Sequence, residues 1–218
     1  MALRYVSRIL LAVAAAWLLP LGASAADWGP LSHDQAMESL KSPRPEDRRK
    51  ALARLAEVGT QDDVPLMLQQ LWDDEELVRG MAEQAIWGLW MRANNSSADP
   101  MFQVAIDLIM QQKLDEAIDQ LNAVIQVRPE FAEAWNKRGD AYLHRGDYDR
   151  AVSDYQHALE LNPYHFGVLE SLGAIWLERR NVRKAAEYFR RALDLNPNLV
   201  NSAVILRELE QKLENDRI

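Results

Sequence analysis

Cysteine is absent from this 218-residue chain, and its absence excludes several kinds of chemistry. Thiol catalysis and cysteine-ligated zinc both require a thiolate, so neither can occur here. The four histidines, His33, His144, His157 and His165, show no metal-ligand spacing such as H-E-x-x-H. The chain also lacks a glycine-rich phosphate loop and a G-x-S-x-G motif. We therefore expect a protein that is not an enzyme and that binds no metal or cofactor.

Positive charge is in the minority, with 25 basic against 33 acidic residues and a net charge of −8. General binding to nucleic acid or to an anionic membrane requires a basic field, so both functions are disfavoured. Glu178 and Glu187 interrupt the one basic cluster, which we interpret as a solvated helical face. The cluster comprises Arg179, Arg180, Arg183, Lys184, Arg190 and Arg191.

Residues 1–26 differ in character from the rest of the chain. Arg4 and Arg8 precede an uncharged run from Ile9 to Leu19, and small residues follow at 23–26. A basic start, a short apolar segment and an A-x-A site are typical of a secretory signal peptide. The apolar run is shorter than the roughly 20 residues that span a bilayer comfortably. An uncleaved membrane anchor is therefore the alternative interpretation.

The leader predicts where the mature protein works. We expect cleavage after Ala25 or Ala26 and a periplasmic location, with secretion as the alternative. No cysteine follows the apolar run, which excludes a lipid-modified bacterial N-terminus. Loss of Arg4 and Arg8 leaves 23 basic and 33 acidic residues, a net charge of −10.

Three segments, 99–130, 133–164 and 167–198, repeat at a spacing of 34 residues. Their matched positions are Ala117, Ala151 and Ala185; Leu121, Tyr155 and Phe189; and Pro129, Pro163 and Pro197. A fixed period of this length predicts stacked helical hairpins. Such hairpins share one elongated core and leave a concave surface. The fold class is therefore all-α, an α-solenoid of antiparallel helical hairpins.

The middle segment, Ala132–His165, resembles a tetratricopeptide repeat (TPR). Its matching residues are Trp135, Gly139, Tyr142, Ala151, Tyr155, Ala158 and Pro163. The third segment matches through Leu172, Gly173, Trp176, Ala185, Phe189, Ala192 and Pro197. The first segment departs from the pattern, because Met101, Ala105 and Leu108 replace the tryptophan, glycine and tyrosine. The resemblance implies a protein-binding module with repeats at about 98–131, 132–165 and 166–199.

A fainter repeat precedes these hairpins. An offset of 31 residues aligns Leu40 with Leu71 and Arg48 with Arg79. Residues 27–93 are therefore similar to HEAT-like repeats, and a generic group of four helices is the alternative. Residues 94–99 form the expected linker, 100–199 the three TPR repeats, and 200–218 a C-terminal capping helix.

The family resemblance also implies which residues line the concave surface. In tetratricopeptide repeats the first helix of each hairpin contributes five positions. In the first repeat these are Asp99, Phe102, Ile106, Ile109 and Met110. In the second they are Glu133, Asn136, Asp140, Leu143 and His144, and in the third Gly167, Glu170, Ala174, Leu177 and Glu178. From them we select a partner-binding groove of Phe102, Ile106, Met110, Asn136, Asp140, His144, Glu170, Ala174 and Glu178.

This surface runs from apolar to acidic, so we expect a partner segment with an apolar anchor and a basic stretch. Family members that clamp a C-terminal carboxylate use Lys, Asn and Arg at set positions. Those positions here hold Phe102, Ile106, Lys137, Gly167 and Ser171, so the clamp is absent. In the other interpretation, the upstream helices cover the apolar end of the groove.

Two further alternatives concern aromatic residues. Trp87 and Trp90 either pack at the junction between the two repeat regions or form an exposed patch for a partner or a second copy of the chain. Tyr164 and His165 are the only hint of glycan binding. The leading hypothesis is a non-enzymatic adaptor or scaffold of the bacterial cell envelope. The runner-up is a self-associating structural protein of the periplasm.

Overall fold

The computed structural model describes residues 31–215 and shows an all-α protein. Eleven α-helices and two short 3-10 helices make up the regular structure, and the described range contains no strand. The predicted fold class is confirmed. Between residues 31 and 215 no helix is both long and apolar enough to cross a membrane. The predicted signal peptide at 1–26 lies outside the described residues.

Four helices precede the 34-residue repeats, and we call them the upstream unit. They are α1 (His33–Ser39), α2 (Pro45–Val58), α3 (Val64–Gln69) and α4 (Glu76–Trp90), with 3-10 turns at Gln61–Asp63 and Gln70–Trp72. Ser32 begins α1 with a capping box to Gln35, and Pro45 occupies the first turn of α2. Leucines and alanines of these helices form one buried core.

Arg48 and Arg79 play equivalent roles in the upstream unit. The Nη1 atom of Arg48 donates to the Ser42 carbonyl at 2.8 Å, and that of Arg79 donates to the Asp73 carbonyl at 2.8 Å. Each carbonyl lies six residues before its arginine. The shared contact supports the predicted 31-residue repeat, whereas its relation to HEAT repeats stays a prediction.

Six further helices form three antiparallel hairpins, which we call the array. They are α5 (Ala98–Met110), α6 (Leu114–Val127), α7 (Ala132–His144), α8 (Tyr148–Leu161), α9 (Phe166–Glu178) and α10 (Val182–Leu195). Small residues allow the paired helices to approach closely. A Cβ atom added to Gly139 would lie 2.8 Å from the Tyr155 ring, and one added to Gly173 would lie 3.0 Å from Phe189.

The loop within each hairpin contains one residue in the left-handed backbone region. These residues are Gln112, Gly146 and Arg180, with φ of 60°, 85° and 58°. They recur at the 34-residue spacing, so the three hairpins turn in the same way. Only the middle copy uses glycine, which adopts this conformation without the strain that a Cβ atom causes.

The segment between the upstream unit and the array is fixed by side chains. Asp99 accepts hydrogen bonds from the Ala93 and Asn95 backbone amides at 2.8 and 2.9 Å, and the Asn95 side chain caps the Ala98 amide at 2.9 Å. Asp99 lies in the first turn of α5, which begins at Ala98, and its carboxylate ties the preceding segment to this helix.

The last helix, α11 (Val200–Asn215), packs against α10 and closes the array. Its buried residues are Ser202, Ile205 and Leu209. Val200 and Val204 are 71% and 51% exposed. Ser202 lies on the buried side of α11 and donates a hydrogen bond to Glu170.

The upstream unit folds back onto the last hairpin of the array. Phe166, at the start of α9, is fully buried in the core of the upstream unit. Asn198, beyond α10, accepts a hydrogen bond from Arg79 at 3.0 Å and donates one to the Leu71 carbonyl at 2.8 Å. Residues more than 100 positions apart therefore meet, and the order of the helices along the chain does not indicate this contact.

Candidate protein-binding face

The concave face of the array is lined by α5, α7 and α9, and helix α4 lies against it. Trp90 stacks on His165 with ring centroids 4.3 Å apart, and Trp87 meets Phe166 edge-on at 5.4 Å. A Cβ atom added to Gly167 would lie 2.7 Å from the Trp87 ring. The interpretation of the two tryptophans as junction residues is confirmed, since Trp90 is only 2% exposed.

The face consequently has two parts. Positions near the starts of α7 and α9 lie under or beside α4, and we call them the covered half: Glu133, Asn136, Gly167 and Glu170. Positions near the ends of α5, α7 and α9 remain at least partly accessible, and we call them the open half: Ile106, Ile109, Met110, Asp140, His144, Leu177 and Glu178.

The covered half contains a buried hydrogen bond between a carboxylate and an imidazole. Glu133 Oε2 lies 2.7 Å from His165 Nε2, and both side chains have no exposed surface. The Val168 backbone amide donates to His165 Nδ1 at 3.2 Å, so the imidazole is neutral and Nε2 donates to Glu133. The Asn136 amide donates to the other Glu133 oxygen at 3.1 Å. Burial alone would raise the pKa of Glu133, but the charge of Lys137 and the contacts with His165 and Asn136 outweigh it and lower the pKa to about 2. This carboxylate therefore holds the starts of α7 and α9 together.

Lys137, the one cation at a position that the carboxylate clamp uses, is not free to bind a ligand. Its Nζ atom lies 3.0 Å from Asp140 Oδ2 and 3.3 Å from Glu133 Oε1. Burial opposes its charge, but these two carboxylates overcome that effect and raise its pKa. The Tyr155 hydroxyl donates to the second Asp140 oxygen at 2.8 Å. Asp140 is therefore neutralised inside the protein and adds little acidic field to the open half.

The open half begins with apolar side chains on the first hairpin. Met110 is 76% exposed, and Ile106 and Ile109 are half-buried beside it. The ion-paired Asp140 and the exposed His144 follow on α7, and Glu178 follows at the end of α9. One Glu178 carboxylate oxygen is buried and has no hydrogen-bond partner among the described residues.

A cleft of about 510 Å³ continues the open half between α9 and α11. Apolar and charged side chains both line it, so it suits an amphipathic segment. The lining residues are Leu177, Arg180, Val182, Glu208, Leu209 and Lys212.

The nine residues predicted to line the groove lie in three kinds of environment. Four are buried and cannot reach a partner in this arrangement: Phe102, Asn136, Glu170 and Ala174. Asp140 is engaged by Lys137 and Tyr155. The remaining four are at least partly accessible: Ile106, Met110, His144 and Glu178. Their binding role stays a prediction.

Contacts within the protein bury each of these four residues. None of them therefore belongs to the accessible surface that was predicted from the sequence. Phe102 packs edge-on against Phe131 at 4.8 Å, within the core of the first hairpin rather than beneath the upstream helices. Ala174 belongs to the core between α9, α10 and α11. Asn136 bonds to Glu133, and Glu170 accepts a hydrogen bond from Ser202 at 2.5 Å.

The basic cluster on α9 and α10 is largely occupied within the chain. Arg179 pairs with Asp149, and Arg190 pairs with Glu210 at 2.6 Å. Lys184 lies over the Trp176 ring at 4.0 Å. This local pairing agrees with a solvated helical face.

Comparison with known proteins identifies the type of repeat in the array. The family model for the tetratricopeptide repeat matches residues 105–166 and 146–200. The array consists of tetratricopeptide repeats. The match covers the array and not the upstream unit, and the TPR array is a protein-interaction fold.

Two relatives match part of this chain over part of their own length. A TPR repeat-containing protein of Rhizobium etli is 30% identical over 83 residues, which is 38% of this chain and 41% of that protein. DnaJ protein P58IPK homolog A of Oryza sativa subsp. japonica is 35% identical over 63 residues, or 29% of this chain and 13% of the relative. The chain thus spans less than half the length of either relative.

Among solved structures, the first TPR of Spaghetti (RPAP3) bound to the HSP90 peptide SRMEEVD is similar to this chain. The TM-score is 0.51 at 26% identity, and the alignment covers 54% of this chain and 93% of that structure. A TPR domain of Sgt2 from Aspergillus fumigatus gives a TM-score of 0.51 at 17% identity, covering 56% of this chain and 83% of that one, which shows the shared fold.

Proposed function

We propose that this chain is a non-enzymatic adaptor of the bacterial cell envelope, which is exported by its leader and binds a segment of another protein. The TPR array supports binding, and so does its similarity to a TPR structure that has a bound peptide. The signal-peptide pattern in residues 1–26 supports the periplasm as the location.

The observation that carries the proposal is the open half of the concave face. Met110 exposes most of its surface beside Ile106 and Ile109 in a helical array that leaves this part uncovered. Apolar side chains in a concave surface are typical of a site that anchors a partner's apolar residue. The partner segment is expected to lie along the open half, from Met110 toward Glu178.

Charge adds a second element to the expected partner. Glu178 has a carboxylate oxygen without a hydrogen-bond partner among the described residues, and the mature chain is acidic as a whole. Because Glu178 is partly exposed at the far end of the open half, a basic side chain in the partner segment, distant from the apolar anchor, would pair with its carboxylate. Glu170 and Asp140 do not contribute, because Ser202 and Lys137 already satisfy them.

Self-association is the second candidate, and the exposed valines of α11 favour it. Val200 and Val204 lie on the terminal helix of the array and are more than half exposed. Apolar side chains at the free end of a solenoid can pack against a second copy of the chain. A polar cap prevents this association in many repeat proteins. In this case the partner is the same protein and the open half of the array is not its binding site.

Photocrosslinking in the native host tests the proposal. A photoreactive amino acid in place of Met110 should give one dominant adduct with a different protein, identified by mass spectrometry. The matched control places the same probe at Val127, an exposed apolar residue of α6 outside the concave face. Adducts with copies of this chain alone, or the same adducts from both positions, would contradict partner binding in the open half.

A further inference from the structure

Two carboxyl groups meet where the upstream unit covers the TPR array. Glu83 projects from α4 on the same side as Arg79 and Trp87, which both contact the array. Glu170 projects from α9 and is 8% exposed. Glu83 lies one helical turn before Trp87, Glu170 lies one turn after Gly167, and the Trp87 ring contacts Gly167, so the two carboxyl groups lie on neighbouring turns of the facing helices. Acidic groups of like charge thus face each other across the contact between two structural units.

The neighbours of this pair are neutral. Ser202 of α11 donates a hydrogen bond to Glu170, and Glu83 lies beside Asn196 and Trp87. Among residues 31–215, neither carboxyl forms an ion pair. The nearby charged groups are engaged elsewhere: Glu133 with His165 and Lys137, and Arg79 with Asn198 and the carbonyls of residues 73 and 74.

The environment favours the protonated form of both groups. Burial raises the pKa of Glu170 to about 7, with the charge of Glu83 adding to the effect and the Ser202 hydroxyl opposing it. Burial likewise raises the pKa of Glu83, against the influence of Asn196 and Trp87. Movement of α4 away from the array would return Glu83 to water and remove its charge from Glu170, so both pKa values would shift toward the ordinary glutamate value of 4.5, while Ser202 of α11 stays bonded to Glu170.

We propose that the upstream unit is a cover over the covered half of the concave face, and that ionisation of Glu83 and Glu170 weakens its closure. Protonated carboxyls can stay in the contact, whereas two ionised carboxylates repel each other and need water. At acidic pH the cover is closed and only the open half is accessible. As the pH rises toward neutral, a second population appears in which α4 has moved away from α9.

The direction of the pH effect on closure follows from the protonation state of Glu170 in the closed and open arrangements. The contribution of Glu170 to closure is complete below pH 4.5, because the group is then protonated in both arrangements. It is lost as the pH rises to about 7 and changes no further above that value. For Glu170 alone, a complete return of its pKa to 4.5 would move the ratio of closed to open molecules by a factor on the order of 300, which is the upper limit of the effect.

The consequence for binding rests on the proposed function, whereas closure itself does not. Opening would add Asn136, Gly167 and Glu170 to the accessible face, next to the open half. A partner segment that has reached the open half could then extend along the whole array. The cover would thereby limit the length of segment that binds at acidic pH.

Because the chain has no cysteine, two spin labels can measure closure directly. Lys50→Cys in α2 and Asp119→Cys in α6 place labels on exposed positions of the upstream unit and the array. Pulsed electron paramagnetic resonance then gives the distance distribution in the full chain without any partner. We expect one distance at pH 4.5 and an additional, longer distance at pH 8.

Isosteric variants identify the groups responsible. Glu83→Gln with Glu170→Gln mimics the protonated pair and should give the pH 4.5 distribution at both pH values. Glu187→Gln, at an exposed position of α10, is the matched control and should keep the pH response. The proposal would be overturned by a distance distribution that does not change with pH in the labelled chain that keeps Glu83 and Glu170. A pH response that survives in the double glutamine variant would also overturn it. Crosslinking from Met110 is scored separately, so a failure of partner binding is distinguished from a failure of closure.

Discussion

Replacing Phe166 by alanine should destabilise the protein by about 3–5 kcal/mol, because the ring fills the core that joins the upstream unit to the TPR array. Phe166 is fully buried and lies 5.0 Å from Trp90 and 5.4 Å from Trp87 between ring centroids. Its loss leaves a cavity on both sides of the contact. The free energy of unfolding from urea titration, followed by tryptophan fluorescence, measures the effect.

Tyr164 provides the matched control for this variant. It lies two residues earlier, outside the core, and is 38% exposed. Tyr164→Ala should change the free energy of unfolding by less than about 1 kcal/mol. Equal losses for the two variants would show that Phe166 does not join the two units.

Replacing Glu133 by alanine should also cost about 2–5 kcal/mol, since it leaves two buried hydrogen-bond donors without an acceptor. Without Glu133, His165 loses its acceptor at 2.7 Å and Asn136 loses its acceptor at 3.1 Å. Lys137 retains Asp140. The same titration in urea at neutral pH measures the loss.

Glu130→Ala is the control for Glu133. Glu130 pairs with Arg128 on the surface, and its side chain is 58% exposed, so its removal should have an effect within about 0.5 kcal/mol. A Glu133 variant as stable as the Glu130 variant would contradict the structural role of the buried pair.

The repeat spacing predicted the TPR array because each hairpin forms through contacts that are local in the chain. Gly139 with Tyr155 and Gly173 with Phe189 recur at the same spacing in sequence and in space. Any sequence with this period needs the same small and aromatic residues at those places. The helical composition of the described region follows from such local patterns.

The fold-back of the upstream unit could not be predicted in the same way. It depends on contacts such as Arg79 with Asn198, across 119 residues, which have no periodic signal. The pair Trp87 and Trp90 was the one indication, since large aromatic residues beside a linker need a surface to pack on. Their spacing did not say which hairpin provides that surface.

Four of the nine predicted groove residues are buried, and for two of them, Asn136 and Glu170, contacts with residues distant in sequence are part of the reason. Mapping the family's positions onto the sequence assumes that the concave face is open along its whole length. Here α4 and α11 enclose part of it, so Asn136 and Glu170 form hydrogen bonds inside the protein. Met110 and His144 lie at the other end of their helices, beyond the reach of these contacts, and remain exposed.

The position of α4 against the TPR array can be tested directly by one crosslinking measurement. A photoreactive phenylalanine derivative in place of Trp87 keeps an aromatic ring beside His165, Phe166 and Gly167. Irradiation of the purified chain at acidic pH, followed by digestion and mass spectrometry, should join the peptide containing residue 87 to the peptide containing residues 165–167. Crosslinks confined to residues 31–92 would contradict the account, because α4 would then not lie against the array.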